Sequence, residues 1–278
     1  MIVWLNGRFV ESDGAISAED RGFLLGEGAF ETIYTEGGRC AFLNQHNDRL
    51  RCGLQTLGLA GEAADKDWRE ISAGLARANG VGGAAALRIT VTPGPGGRGL
   101  GAAAGPPTVL ASMSRLSAFP EGCKLKLARA RRYSGALGAR CKLVGGYVDN
   151  LAALAEARAA GADEAIMLNE RGDVACASAA NIFLISPAGV AATPRLSDGA
   201  LPGVVRSILI AGAHDVRIEE RSVRVEELSA ALVLLTNSLR GVALCAGAGA
   251  TPGQARAAAA LKSCYAEALA AELGREKP

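Results

Sequence analysis

The sequence predicts a mixed helix-and-strand chain in two parts, and three observations carry that reading. Met1 to Val10 reads as two short strands folded at Asn6-Gly7, and Phe30 to Tyr34 with Arg39 to Leu43 reads as a second hairpin around Gly37-Gly38. Helical spacing follows: Leu50, Leu54 and Leu57 share one face, and a second helix spans Asp67 to Asn79. A break at Ser114 to Gly122, containing Pro120, then separates residues 1–115 from residues 124–278, with 116–123 as the linker.

In the first part, Asp20 to Gly28 reads as a glycine-punctuated turn, and strands at Ala84 to Thr92 and Thr108 to Met113 complete the segment. In the second part, Asp149 is the expected N-cap of a helix carrying Leu151, Leu154 and Arg158. That helix leads through Gly161 into a strand from Asp163 to Leu168, a turn at Asn169 to Gly172, and a return through Val174 to Asn181-Ile182-Phe183. A further helix runs from the Gly203 region through Gly212, a buried strand covers Leu232 to Leu235, and an alanine-rich helix extends from Pro252 to about Leu273.

Composition narrows the function classes. At 278 residues and 49% apolar content the chain can bury one large core or two modest ones, and a net charge of +2 gives no electrostatic case for nucleic acid or membrane. Seven cysteines without a C-x-x-C pair suggest reduced cytosolic thiols, hence a cytoplasmic protein. With His46 and His214 as the two histidines, a His/Cys zinc site is not expected. No signal peptide or membrane span is visible in the sequence.

Three stretches carry chemistry. Lys142 follows Arg140 within an apolar, glycine-containing segment just before a helix. A nearby cation and partial burial favour the neutral amine, the form that attacks a carbonyl, although a solvated surface charge is the commoner fate of a single lysine. Gly94-Pro95-Gly96-Gly97-Arg98-Gly99 matches G-x-G-x-x-G after a strand, yet Gly105-Pro106-Pro107 and another strand follow where a dinucleotide site needs a helix. A loop presenting Arg98 to an anionic substrate is the better description. Pro202-Gly203 before a helix leaves its first backbone N–H groups available to a phosphate.

Together these residues resemble the class IV pyridoxal-phosphate enzymes: 4-amino-4-deoxychorismate lyase and the branched-chain and D-amino-acid aminotransferases. The family pattern is a lysine, a helix, G-x-D-E-A, a hairpin, then G-x-V-x-E-x-x-x-x-N-x-F. Gly161, Asp163, Glu164, Ala165, Gly172, Val174, Asn181 and Phe183 stand in register with it, and Cys176 occupies the glutamate position. The run D-R-G-F-x-x-G-x-G-x-F-E-T at Asp20 to Thr32 is similar too, as are H-x-x-R-L at His46 to Leu50 and G-[IV]-x-R at Gly203 to Arg206.

The resemblance implies an α+β, two-domain fold with pyridoxal 5'-phosphate in the interdomain cleft, and a homodimer whose sites take loops from the partner subunit, which leaves open whether Arg98 acts in its own site or in trans. It implies Lys142 as the catalytic lysine carrying the cofactor; Arg49, Cys176, Asn181, Val204, Val205, Asn237 and Ser238 as further cofactor contacts; and Phe30, Arg98 and Arg240 as substrate contacts. Gly96-Gly97-Arg98-Gly99 and Thr236-Asn237-Ser238 look more lyase-like. The favoured expectation is therefore an aminodeoxychorismate lyase of folate biosynthesis, releasing pyruvate and 4-aminobenzoate. D-amino-acid or branched-chain transamination is the alternative, and a pyridoxal-phosphate-binding protein with little catalysis is a third reading raised by Cys176.

Overall fold

In the computed structural model, which describes residues 1–97, 99–102, 104–116, 122–245 and 249–274, the chain divides into two units. One comprises Met1–Ser117 with Cys141–Gly146, the other Ala118–Arg140 with Tyr147–Pro278. The lysine-bearing segment therefore leaves the expected 124–278 block and joins the first unit. The cause is its backbone pairing: Phe30 N–H donates to the Lys142 carbonyl (3.0 Å), Val144 N–H to Gly28 (2.8 Å) and Gly145 N–H to Gly26 (2.9 Å). Of the expected linker, residues 117–121 lie outside the described residues.

The first unit is built on an antiparallel sheet. Its strands are β1 (Ile2–Leu5), β2 (Arg8–Glu11), β3 (Ala29–Glu36), β4 (Arg39–Cys40), β5 (Ala84–Thr92) and β6 (Thr108–Arg115), in the order β2-β1-β6-β5-β3-β4. Helices α1 (Arg21–Leu25), α2 (Leu43–Thr56) and α3 (Trp68–Ala78) complete it. Ile33, Leu50, Leu54, Trp68, Leu75, Leu87 and Ile89 close one core, in which Trp4 meets Trp68 edge-on. Two readings are corrected. The Asp20 stretch is a short helix, because Asp20 caps it through Gly22 N–H (2.8 Å) and also accepts from the Thr92 and Thr108 hydroxyls (2.9 and 2.6 Å). The strand expected to reach Leu43 ends at Cys40, since Phe42 turns the chain in a left-handed conformation (φ 53°) and α2 starts directly after it.

The second unit holds two sheets. One runs β12-β11-β10-β14-β15 from Ile218–Glu220, Ala191–Thr193, Asn181–Ile185, Leu232–Asn237 and Gly241–Leu244. The other runs β13-β9-β8-β7 from Val223–Arg224, Asp173–Ala177, Glu164–Leu168 and Leu125–Arg131. Around them lie α4 (Leu137–Arg140), α5 (Val148–Ala159), α6 (Val204–Gly212) and α7 (Pro252–Glu272). A capping box between Thr251 and Gln254 starts α7 with Pro252 at its first position.

The expected apolar face of α5 is not the buried one. Tyr147, not Asp149, holds the cap position, and Leu151 is 65% exposed while Asn150, Ala153 and Ala157 are buried. Small side chains face inward because α5 lies close against β7 and β8, where Ala128, Ala165, Met167, Ala175 and Cys176 form the other half of an alanine-rich cluster.

Candidate active site

In the first unit, the residues before β3 and the lysine segment approach so closely that a Cβ on Gly26 would stand 2.7 Å from Gly145 Cα. Gly26 also needs its left-handed backbone (φ 69°), so the glycine of the Asp20 run is a steric requirement. This packing places Lys142 Nζ 4.5 Å from the Phe30 ring centroid, with Arg88 Cζ 3.8 Å from the same centroid. The buried ring attracts both cations through its negative face. Arg88 was not singled out in the sequence, where it reads as one polar position in an apolar strand; its exposed place beside β3 gives it the role.

Arg49 faces a different partner from the one its motif suggests. Its Nε and Nη2 donate to Glu31 Oε1 and Oε2 at 2.6 and 2.7 Å, and His46 Nδ1 lies 2.7 Å from Glu31 Oε2. Burial alone would raise the Glu31 carboxyl, but the charge and hydrogen bonds of Arg49, helped by His46, outweigh it and hold the group at about 2. Burial pushes the His46 imidazole down, so a neutral ring donates from Nδ1 to the carboxylate. The HxxRL motif thus builds an internal acid–base cluster with α2 clamped to β3.

Arg98 lies outside the described residues. Buried Arg21 pairs with Glu27 (2.6 Å) and donates to the carbonyls of Gly97 (3.2 Å), Gly99 (2.9 Å) and Leu100 (3.2 Å). Arg21 belongs to the Asp20 run, and its role was not legible there because its acceptors lie nearly 80 residues away.

In the second unit, α6 begins at Gly203, which makes no side-chain cap. The first-turn N–H groups at Val204 and Val205 have no carbonyl within the helix to meet. Gly203 is enforced, since a Cβ there would collide with the Asn181 side chain. Asn181 donates from Nδ2 to the Leu201 carbonyl (2.8 Å), so it shapes the turn before the helix. Arg206 is buried and spent on structure: it bonds Thr193 Oγ1 (3.3 Å), the Pro194 carbonyl (2.9 Å) and Glu220 (2.6 Å).

The turn after β14 uses its own polar groups. Asn237 Oδ1 accepts from the N–H of Leu239 (3.1 Å) and Arg240 (2.9 Å), and its Nδ2 donates to Ala179 (3.0 Å). Ser238 opens that turn. Arg240 donates to buried Glu164 (3.1 Å), which also accepts from the Ser178 hydroxyl. Cys176 sits among the alanines with its thiol pushed up to about 11 by burial, which outweighs the lowering pull of the Arg132 charge; Glu164 adds a smaller push upward. It is a neutral thiol, where the family pattern has an anion.

Pyridoxal 5'-phosphate asks for a lysine amine, an anion-binding helix start and polar groups awaiting a partner. Lys142 lies beside an aromatic face, Gly203 leaves the start of α6 without a side-chain cap, and the buried Thr236 Oγ1 has no hydrogen-bond partner among the described residues. Within each unit the groups present are of the kinds this cofactor uses, and Cys176, at the position of the family glutamate, is a neutral thiol.

An α+β chain in two units with this lysine, helix start and H-x-x-R-L cluster defines a pyridoxal-phosphate enzyme of the lyase and aminotransferase class. Residues 28–246 match the family model described as amino-transferase class IV, and the chain belongs to that family. It is 31% identical over 248 residues to an aminodeoxychorismate lyase of Bacillus subtilis, covering 86% of this chain and 83% of that protein. It is 30% identical over 224 residues to a putative branched-chain-amino-acid aminotransferase of Methanocaldococcus jannaschii, covering 79% and 77%. Among solved structures, the branched-chain aminotransferase of Thermoproteus uzoniensis with norvaline superposes with a TM-score of 0.83 at 27% identity, covering 100% and 96% of the two chains.

Proposed function

We propose that the chain is a 4-amino-4-deoxychorismate lyase. What supports this reading is Cys176, a buried, protonated thiol at the position where the family pattern has a glutamate that would strengthen the cofactor as an electron acceptor. Bound pyridoxal phosphate supplies a sink for the electron pair left when a carbon beside the amine loses its proton. A weakened sink is better tolerated when the product becomes aromatic, as 4-aminobenzoate does, than in transamination, which has no such downhill exit.

In this reading Lys142 would hold the cofactor until the substrate amine displaced its Nζ, and the freed amine would take the proton from the amine-bearing carbon and return one to the departing enolpyruvyl group, giving pyruvate. Phe30 keeps the amine against its face, and Arg88 with Arg98 receives substrate carboxylates as planar forks. Arg49 and the N–H groups of Val204 and Val205 serve the cofactor phosphate, with Ser238 assisting and Asn181 and Asn237 shaping the backbone that serves it. Arg240 acts on the substrate side through its Glu164 pair. The exposed apolar side chains of Phe23, Leu24, Leu25 and Leu100 support a homodimer. Among the described residues no helix is long and apolar enough to cross a membrane.

Branched-chain or D-amino-acid transamination is the second reading, favoured by the likeness to the archaeal aminotransferases. Product identification separates the two. The cofactor-loaded protein is incubated with 4-amino-4-deoxychorismate, with D-alanine plus 2-oxoglutarate, and with leucine plus 2-oxoglutarate. Pyruvate and 4-aminobenzoate in equal amounts support the lyase; glutamate from either amino acid, with no 4-aminobenzoate from the first substrate, refutes it.

A further inference from the structure

Cys141, the residue before Lys142, is buried, and its Sγ lies 3.3 Å from Thr56 Oγ1 on the last turn of α2. The same hydroxyl donates to the Cys52 carbonyl at 2.8 Å, so the sulfur of Cys141 rests against the turn that begins at Cys52. A Cβ built on Gly53 would stand 4.0 Å from Cys141 Cβ, which shows how near the two backbones run beside Cys52. Loss of solvent, then the charge and hydrogen bond of the Cys141 thiol, raise the Cys52 thiol above its ordinary value, as expected of two thiols in contact. Cys52 is exposed and Cys141 is buried behind it, an arrangement of one reachable thiol and one resolving thiol.

We propose that Cys52 and Cys141 form a reversible disulfide, a thiol-oxidation site that ties the segment before Lys142 to α2, with a low-molecular-weight disulfide as the oxidant. The Cys52 thiolate attacks one sulfur of the oxidant, whose S–S bond breaks and releases one small thiol. The Cys141 thiolate then attacks the Cys52 sulfur of the mixed disulfide and displaces the second small thiol. Two electrons pass from the protein thiols to the oxidant, and the two thiol protons leave on the two small thiols. Bonding draws the Cys141 sulfur from Thr56 toward Cys52 on the same helix, and Lys142 follows through the peptide bond. The effect on activity rests on Lys142 being the cofactor lysine; formation of the bond does not.

The test is to treat the cofactor-loaded protein with oxidised glutathione, alkylate the remaining thiols, digest without reductant and map linked peptides. The expected product joins the peptide beginning at Cys52 to the one containing Cys141, with product formation reduced about tenfold or more and restored by dithiothreitol. Cys52→Ser should keep basal activity, lack the link and resist the oxidant. Glutathione left on Cys52 with no link to Cys141, or a link confined to the buried Cys123 and Cys245, overturns the site. A Cys52–Cys141 link with full activity overturns the proposed effect of this bond on Lys142.

Discussion

Arg49 and Glu31 form a forked ion pair within the first unit, Nε to Oε1 at 2.6 Å and Nη2 to Oε2 at 2.7 Å, with the Glu31 side chain 1% exposed. The arginine of the H-x-x-R-L motif is therefore held in place by a buried carboxylate. Removing it has two consequences, one for the fold and one for the cofactor.

Arg49→Ala leaves the buried carboxylate with the neutral His46 ring but no counter-charge from Arg49, and deleting one partner of a buried pair costs about 3–5 kcal/mol. The paired change Glu31→Gln with Arg49→Met should recover much of that stability in urea unfolding. Cofactor retention on dialysis should stay weak in both variants. Normal retention in the stable double variant would exclude Arg49 from the phosphate site.

The same cluster sets an acid limit. The folded His46 imidazole lies below its ordinary value of 6.5, and the folded Glu31 carboxyl lies at about 2 against 4.5. In both cases the unfolded chain takes up protons first as the pH falls, so stability declines below pH 6.5 and more steeply from 4.5 toward 2. The Glu31 share is roughly 3 kcal/mol. Urea midpoints across this range, compared with those of His46→Gln, should show the variant losing the decline between pH 6.5 and 4.5 while keeping the acid one. Identical profiles would contradict the buried neutral imidazole.

Cys176→Glu tests the sink argument. The longer side chain enters an alanine cluster, so overpacking costs about 1–3 kcal/mol. At equal cofactor occupancy, any transaminase side activity should rise more than the lyase rate, by about one to two orders of magnitude if the restored contact contributes 1.5–3 kcal/mol. Transamination unchanged or reduced in a folded, loaded variant would mean another group already meets the pyridine nitrogen.

Arg88→Ala removes a guanidinium from the Phe30 ring face without opening the core, because Arg88 is exposed. KM for 4-amino-4-deoxychorismate should rise by tenfold or more, with cofactor absorbance unchanged, and Arg98→Ala should act in the same direction. Kinetics unchanged in both variants would remove these arginines from substrate recognition.

Local signals made much of the fold legible. Asn6-Gly7 turns β1 into β2, Pro252 starts α7, and the helix expected from Asp67 to Asn79 is α3, with Asp67 as its N-cap. Contacts joining distant residues were not legible. Arg240 meets Glu164 across 76 residues, and Arg21 reaches Leu100 across 79; each reads locally as a surface charge. The buried face of α5 escaped for another reason: close packing against a sheet selects Ala153 and Ala157 over the larger Leu151, so the apolar pattern pointed to the wrong side.

Everything proposed for the chemistry depends on the Lys142 amine being the point of cofactor attachment. Borohydride reduction of the loaded protein, followed by peptide mapping, measures this directly. A single pyridoxyl group on Lys142, lost in Lys142→Ala, is the predicted result. A pyridoxyl group on Lys124 or Lys126, with Lys142 unmodified, would contradict it.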